Sequence, residues 1–106
     1  MKKCVGSVVA VAALALAGGT ALAQNGPQLL KDKGCLACHS IDKKVVGPAY
    51  KDVAAKYRAR KDAEAYLVKK IEEGSSGVWG QIPMPPNTIV SRAEAHTLAK
   101  YLLTLK

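Results

Sequence analysis

An all-α domain of about four short helices is what this sequence predicts, and three observations carry that expectation. No stretch beyond residue 23 alternates apolar and polar side chains as a half-buried strand does. Apolar residues recur instead at helical spacing, most clearly near the C-terminus, where Ala95, Leu98, Ala99, Leu102 and Leu103 fall at i, i+3, i+4, i+7 and i+8. Residues 24–106 are also near the size at which an apolar core alone barely suffices, and the chain has no Phe. A helical domain of that make-up needs another buried apolar body at its centre.

The N-terminus stands apart from this domain. Met1-Lys2-Lys3 is a basic start, Val8–Ala17 is an apolar run of small residues, and Ala21-Leu22-Ala23 forms an A-x-A cleavage site. Residues 1–23 therefore read as a cleaved secretory signal peptide, with 24–106 as the mature domain. The uncharged stretch Cys4–Ala23 is long enough to span a bilayer, but it is rich in Ala and Gly and ends in a processing site. Cys4 precedes the apolar run, whereas an acylated cysteine would follow it.

Removing Lys2 and Lys3 lowers the formal charge from +8 to about +6. The basic residues are spread along the chain with acids between them, and no basic cluster with interleaved aromatics is visible in the sequence. Nucleic acid is therefore not an expected partner, and steering towards an acidic protein is the better reading.

The first helix is expected from Pro27 to Lys33, with Asn25 or Gly26 as cap and Pro27 in the first turn. Gly34 both ends it and allows another backbone to approach closely. The loop from Ser40 to Pro48, punctuated by Gly47-Pro48, leads to a second helix over Ala49–Tyr57. A third begins at Asp62, a plausible N-cap, and runs to Glu73 with Ala65, Leu67, Val68 and Ile71 on its apolar face and Gly74 as its stop. The last helix opens with a capping box, Ser91-x-x-Glu94. His96 lies at the edge of its apolar stripe, as a partly exposed surface histidine.

Between the first two helices stands Cys35-Leu36-Ala37-Cys38-His39. A C-x-x-C-H run reads as a c-type haem attachment site. Thiols at this spacing reach the two vinyl groups on one porphyrin edge, and the next residue brings an imidazole under the iron. A thioredoxin-like dithiol would require a βαβ context that is missing here. A zinc site needs four ligands, and the other histidine, His96, lies far off on a predicted helix. The haem would also be the apolar body that the small core requires, because Cys35 and Cys38 are too close for a useful loop-closing disulfide.

The stretch from Gly74 to Pro86 is long for so small a domain, and long loops are commonly functional. It carries Trp79 and, between stiffening prolines, Met84 in Pro83-Met84-Pro85-Pro86. Apart from the initiating Met1 this is the sole methionine, and a thioether so held is suited to be the second axial ligand of a haem.

Taken together, the chain resembles the bacterial class I c-type cytochromes, most closely the small c-551 type. The likeness covers the whole mature domain through Lys33-Gly34-Cys35, Val46–Lys56, Gly77-Val78-Trp79-Gly80 and Ile82–Asn87. It implies a small class I cytochrome c fold, with four helices wrapped around one haem c linked through Cys35 and Cys38. His39 and Met84 would be the iron ligands. Pro48 would accept a hydrogen bond from the His39 ring, Trp79 and Lys70 would approach a haem propionate, and Asn87 would bond the Met84 sulfur or stabilise its loop. Leu30 departs from the family, whose members often carry an aromatic there against the terminal helix near Tyr101.

The expected function is that of a periplasmic electron carrier and not an enzyme. It would move one electron at a time between membrane respiratory complexes and a terminal nitrite reductase or oxidase. Redox proteins are the implied partners, met transiently by a monomer, with no small-molecule substrate because both axial positions are filled. A haem enzyme or gas sensor with a displaceable sixth ligand is the rival class, and a zinc-binding module a third.

Overall fold

The computed structural model describes residues 24–106 together with Gly6; the predicted leader otherwise lies outside the described residues. Four α-helices follow in order: α1, Gly26–Asp32; α2, Tyr50–Tyr57; α3, Ala63–Glu73; and α4, Arg92–Leu103. Among the described residues extended pairing is limited to two isolated antiparallel bridges, His39–Lys44 and Ser75–Met84. No described helix is long and apolar enough to cross a membrane.

Helix α4 is the hub, packing against α1, α2 and α3. Its predicted stripe is the reason: Ala95, Leu98, Ala99 and Leu102 are all buried, and the two alanines let neighbouring backbones come close. Leu29 and Leu30 of α1, Val53 and Tyr57 of α2, and Leu67, Val68 and Ile71 of α3 complete the core. Leu30 is 2% exposed, so the aliphatic side chain is fully absorbed where relatives often place a ring. The α1–α4 seam is tight through another pair: Gly26 lies so near the Tyr101 ring that a Cβ has no room.

The helix ends follow local chemistry. Asn25 Oδ1 accepts from Gln28 N at 2.9 Å, and the Ser91–Glu94 capping box forms in both directions, at 3.1 and 2.9 Å. Asp62 precedes α3 as expected, but its side chain does not cap the helix. Its carboxylate is held by Arg60, two residues back, in a two-pronged pair at 2.8 and 2.9 Å. A charged fork competes well against a neutral N–H for the same oxygens. Gly74 stops α3 at φ 73°, a conformation that other residues adopt only at a cost. His96 is partly exposed, and its Nδ1 lies 2.8 Å from Glu64 of α3.

Candidate functional site

Gly34, at φ 76°, turns the chain out of α1 into a single 3₁₀ turn over Cys35–Ala37. The amides of Cys38 and His39 both donate to the Cys35 carbonyl, at 3.2 and 3.0 Å, so the whole C-x-x-C-H segment is wound about one oxygen. The following loop is then folded back onto it: Val46 and Gly47 both donate to Cys38 O, at 3.1 and 2.7 Å, and Tyr50 N donates to Ser40 O at 2.9 Å.

This return brings Gly47, Pro48 and Tyr50 to the His39 ring. Nδ1 lies 2.8 Å from the Pro48 carbonyl, an oxygen that can only accept, so the ring proton sits on Nδ1 and the Nε2 lone pair is left available. The Tyr50 ring stacks on the imidazole at 4.5 Å between centroids and 18° between planes. Gly47 is pressed against the ring so closely that a Cβ there would stand 2.5 Å from Cε1. Burial raises the Cys35 thiol above its ordinary value, opposed by a hydrogen bond from Tyr50. Redox dithiols depend on a lowered thiol pKa, so this environment is the opposite of theirs. Tyr50 is likewise pushed far up, first by burial and then by the neighbouring Cys35, and stays neutral.

Met84 comes from the other side. Its N donates to Ser75 O at 2.8 Å and its carbonyl accepts from Ser75 N at 3.0 Å, closing the loop at its base. Gly74 touches the Met84 carbonyl and leaves no space for a Cβ. Asn87 secures the exit: its N donates to Ile71 O at 2.9 Å, its Oδ1 accepts from Ile89 N at 3.1 Å, and its Nδ2 donates to Lys33 O at 3.2 Å. Of the two roles implied for Asn87, these contacts are those of a loop brace reaching to the residue two before Cys35.

The third part of the rim corrects the sequence reading of the charges. Basic and aromatic side chains that are dispersed along the chain meet in space. Lys56 Nζ lies 4.5 Å from the Trp79 ring, and Arg60 and Lys70 lie 4.1 and 5.1 Å from the Tyr66 ring. Tyr57 joins the group, with Trp79 edge-on at 6.2 Å and the Tyr66 hydroxyl at 3.5 Å. Burial, then the Tyr66 contact, push the Tyr57 phenol up to about 12. Conversely, two of the lysines flanking the C-x-x-C-H segment are paired with acids, Lys33 with Glu94 and Lys51 with Asp42.

All eight residues singled out from the sequence, Cys35, Cys38, His39, Pro48, Lys70, Trp79, Met84 and Asn87, line a single cavity of about 840 Å³. Its floor is the apolar face of the core, Leu30, Val53, Leu67, Ile71, Leu98 and Leu102. These features fit a flat, largely hydrophobic prosthetic group carrying a metal: apolar floor, two thiols at the rim, an imidazole with a free Nε2 and a thioether. Among the described residues no three His, Cys, Asp or Glu side chains gather as a cage for a bare ion.

Paired thiols beside such a cavity tether haem, and the helical frame around them is that of a class I c-type cytochrome. The Cytochrome c family model matches residues 23–106, and the chain belongs to that family. Cytochrome c-552 of Nitrosomonas europaea is 57% identical over 97 residues, covering 92% of this chain and 91% of that protein. Cytochrome c-551 of Pseudomonas aeruginosa is 59% identical over 96 residues, covering 86% and 91%. The crystal structure of the Nitrosomonas europaea cytochrome c552 superposes with a TM-score of 0.74 at 60% identity, covering 76% of this chain and 99% of that one. The class 1 cytochrome MtoD of Sideroxydans lithotrophicus gives 0.62 at 31% identity, covering 76% and 91%. The chain is therefore a cytochrome of the c-551 type, with one covalently bound haem c.

Sequence reasoning missed Tyr50 and Gly47 as neighbours of His39. The available signal was their spacing about Pro48, once that carbonyl is placed on the imidazole.

Proposed function

We propose that this cytochrome is an exported, periplasmic one-electron carrier. In this reading Cys35 and Cys38 would tether the haem, and His39 Nε2 and the Met84 sulfur would hold its iron. Bound there, haem supplies a ferric/ferrous couple, and Met/His ligation raises its potential. The observation that carries the reading is the convergence of all four side chains on one cavity, with the His39 proton already engaged by Pro48. The chain's own part is to hold and to exclude. The Pro48 carbonyl fixes the tautomer and makes Nε2 a better donor. The apolar floor keeps water away, and prolines on both sides of Met84 limit how far its sulfur moves. Filling both axial positions with protein groups leaves no place for a substrate at the metal.

Redox partners follow from the same chemistry. Leu36, Val45 and Val46 beside the attachment segment and Ile82 on the Met84 loop are exposed, which suits brief apolar docking near the thioether edge. The lysines act at longer range, steering an acidic partner before contact. Membrane respiratory complexes are the proposed donors, and a terminal nitrite reductase or oxidase the acceptor. Two spectra and one rate test this reading. Sharp α and β bands on reduction, and a sulfur-to-iron near-infrared band in the oxidised protein, are expected. The electron-exchange rate with an acidic partner should fall as salt rises. A protein without the near-infrared band has no methionine ligand, and a salt-independent rate removes the steering role of the lysines.

A further inference from the structure

The hydrogen bond from Nδ1 fixes one atom of the His39 ring. It does not by itself fix the plane of the ring, because carbonyl oxygens accept over a broad range of directions. Two other contacts bear on that plane. The Tyr50 ring lies nearly parallel to the imidazole at 4.5 Å, and Tyr50 is itself immobilised, 6% exposed in the core at the first turn of α2. Gly47 stands against the Nδ1–Cε1–Nε2 side, where even one added carbon would meet three ring atoms at 2.5 to 2.9 Å.

We propose that Tyr50 and Gly47 are positioning residues that clamp the His39 imidazole in one rotational setting, so that the plane through its Nε2 is chosen by the segment 47–50 and not by the ligated metal. The inference deepens the reading of His39 as an axial ligand and rests on it. One further observation supports it. The segment is anchored through its own backbone, Gly47 N to Cys38 O and Tyr50 N to Ser40 O, and not through the ring it holds.

The orientation of an axial imidazole governs the anisotropy of low-spin ferric iron, which gives a readout distinct from fold and from electron-transfer activity. The test compares holoproteins carrying Tyr50→Phe, Tyr50→Leu and Gly47→Ala with the wild type, by ferric electron paramagnetic resonance and by the paramagnetic proton shifts of the haem methyl groups. Tyr50→Phe keeps the stacking face and should retain the wild-type g-values and methyl order. Tyr50→Leu, which keeps bulk but loses the face, should shift or broaden both, and Gly47→Ala should shift both because the ring must move. Where Tyr50→Leu does not yield folded holoprotein, Gly47→Ala alone decides. Wild-type spectra from folded Gly47→Ala overturn the proposal. So does an equal perturbation by Tyr50→Phe and Tyr50→Leu, which would assign the effect to the hydroxyl near Cys35. Failure of the axial-ligand reading looks different: the wild type itself would then lack a six-coordinate low-spin spectrum.

Discussion

His39 is surrounded by short-range structure. Within eleven residues of it the chain supplies a carbonyl to its Nδ1, a ring to its face, a glycine to its side and two amides folded onto the Cys38 carbonyl. Met84, across the cavity, has the Ser75 bridge, the Gly74 contact and the Asn87 brace, while residues 76–77 and 79–83 beside it are all exposed. The proposed ligand His39 is thus built into the fold, and the proposed ligand Met84 is carried on a strap. The difference teaches which wall yields first. Backbone that makes few buried contacts opens at low cost, and the Met84 strap is the low-cost region of this molecule.

The most drastic way to break the comparison is to remove the group that both walls face. The Cys35→Ala/Cys38→Ala double variant should be largely unfolded, because a domain of this size has only about 5–15 kcal/mol of net stability and the central apolar body is gone. Far-ultraviolet circular dichroism checks this, and a cooperative, helix-rich melt without haem would contradict it.

Next in size is Gly74→Ala. At φ 73° and ψ -173° the backbone is in a region essentially reserved to glycine, so a side chain costs about 1–3 kcal/mol, and here the added carbon also meets the Met84 carbonyl. Gly77→Ala is also strained by its positive φ, 74°, but meets nothing within 4 Å, so it should cost less. Equilibrium denaturation of the two variants checks that order. Asn87→Ala removes bonds to Lys33 O and Ile89 N, a loss of about 1–2 kcal/mol. The near-infrared sulfur band should then disappear at lower denaturant than in wild type, while the far-ultraviolet signal moves less. Coincident shifts of both would mean that the strap and the core open together.

The smallest effect concerns acid. Glu94 sits below its ordinary carboxylate value, chiefly through the Ser91 amide and then through Lys33. A depressed folded pKa gives stability that is present above the usual carboxylate range and is lost as pH falls through the folded value. Glu94→Gln should therefore lower stability slightly at neutral pH and flatten the acid limb, with variant and wild type converging at low pH. An unchanged acid limb would show that neither the Ser91 cap nor the Lys33 contact favours the Glu94 carboxylate in the folded state.

Legibility in the sequence tracks the range of the interaction. The Ser91–Glu94 box, the Gly74 stop and the α4 stripe involve residues within a turn or two of one another, so pattern alone places them. Cys35, Cys38 and His39 stood out as candidates by residue type and spacing, and Met84 by its prolines; the structure brings all four to one cavity. Asp62 takes the N-cap position as read, but its side chain does not cap α3 because Arg60, equally local, offers the carboxylate a stronger partner. The cluster of Lys56, Arg60 and Lys70 on Tyr57, Tyr66 and Trp79 was illegible for a different reason. It is assembled from α2, the turn after it, α3 and the strap, and the packing of both α2 and α3 on α4 brings the helical pieces together. Tyr50 reads as one more apolar position of α2 until the loop from Ser40 to Pro48 is seen to fold back over His39.

The central claim is that Met84 closes the sixth position from a strap that opens more readily than the His39 wall. The rate of cyanide binding to the ferric protein tests it most directly, in wild type and in Met84→Ala. Wild type should bind slowly, at a rate that levels off with cyanide concentration because the sulfur must leave first. Asn87→Ala should raise that plateau, and Met84→Ala should remove it and bind in proportion to cyanide. Equal rates in wild type and Met84→Ala, with equal reduction potentials, would show that Met84 is not a ligand and would contradict the account.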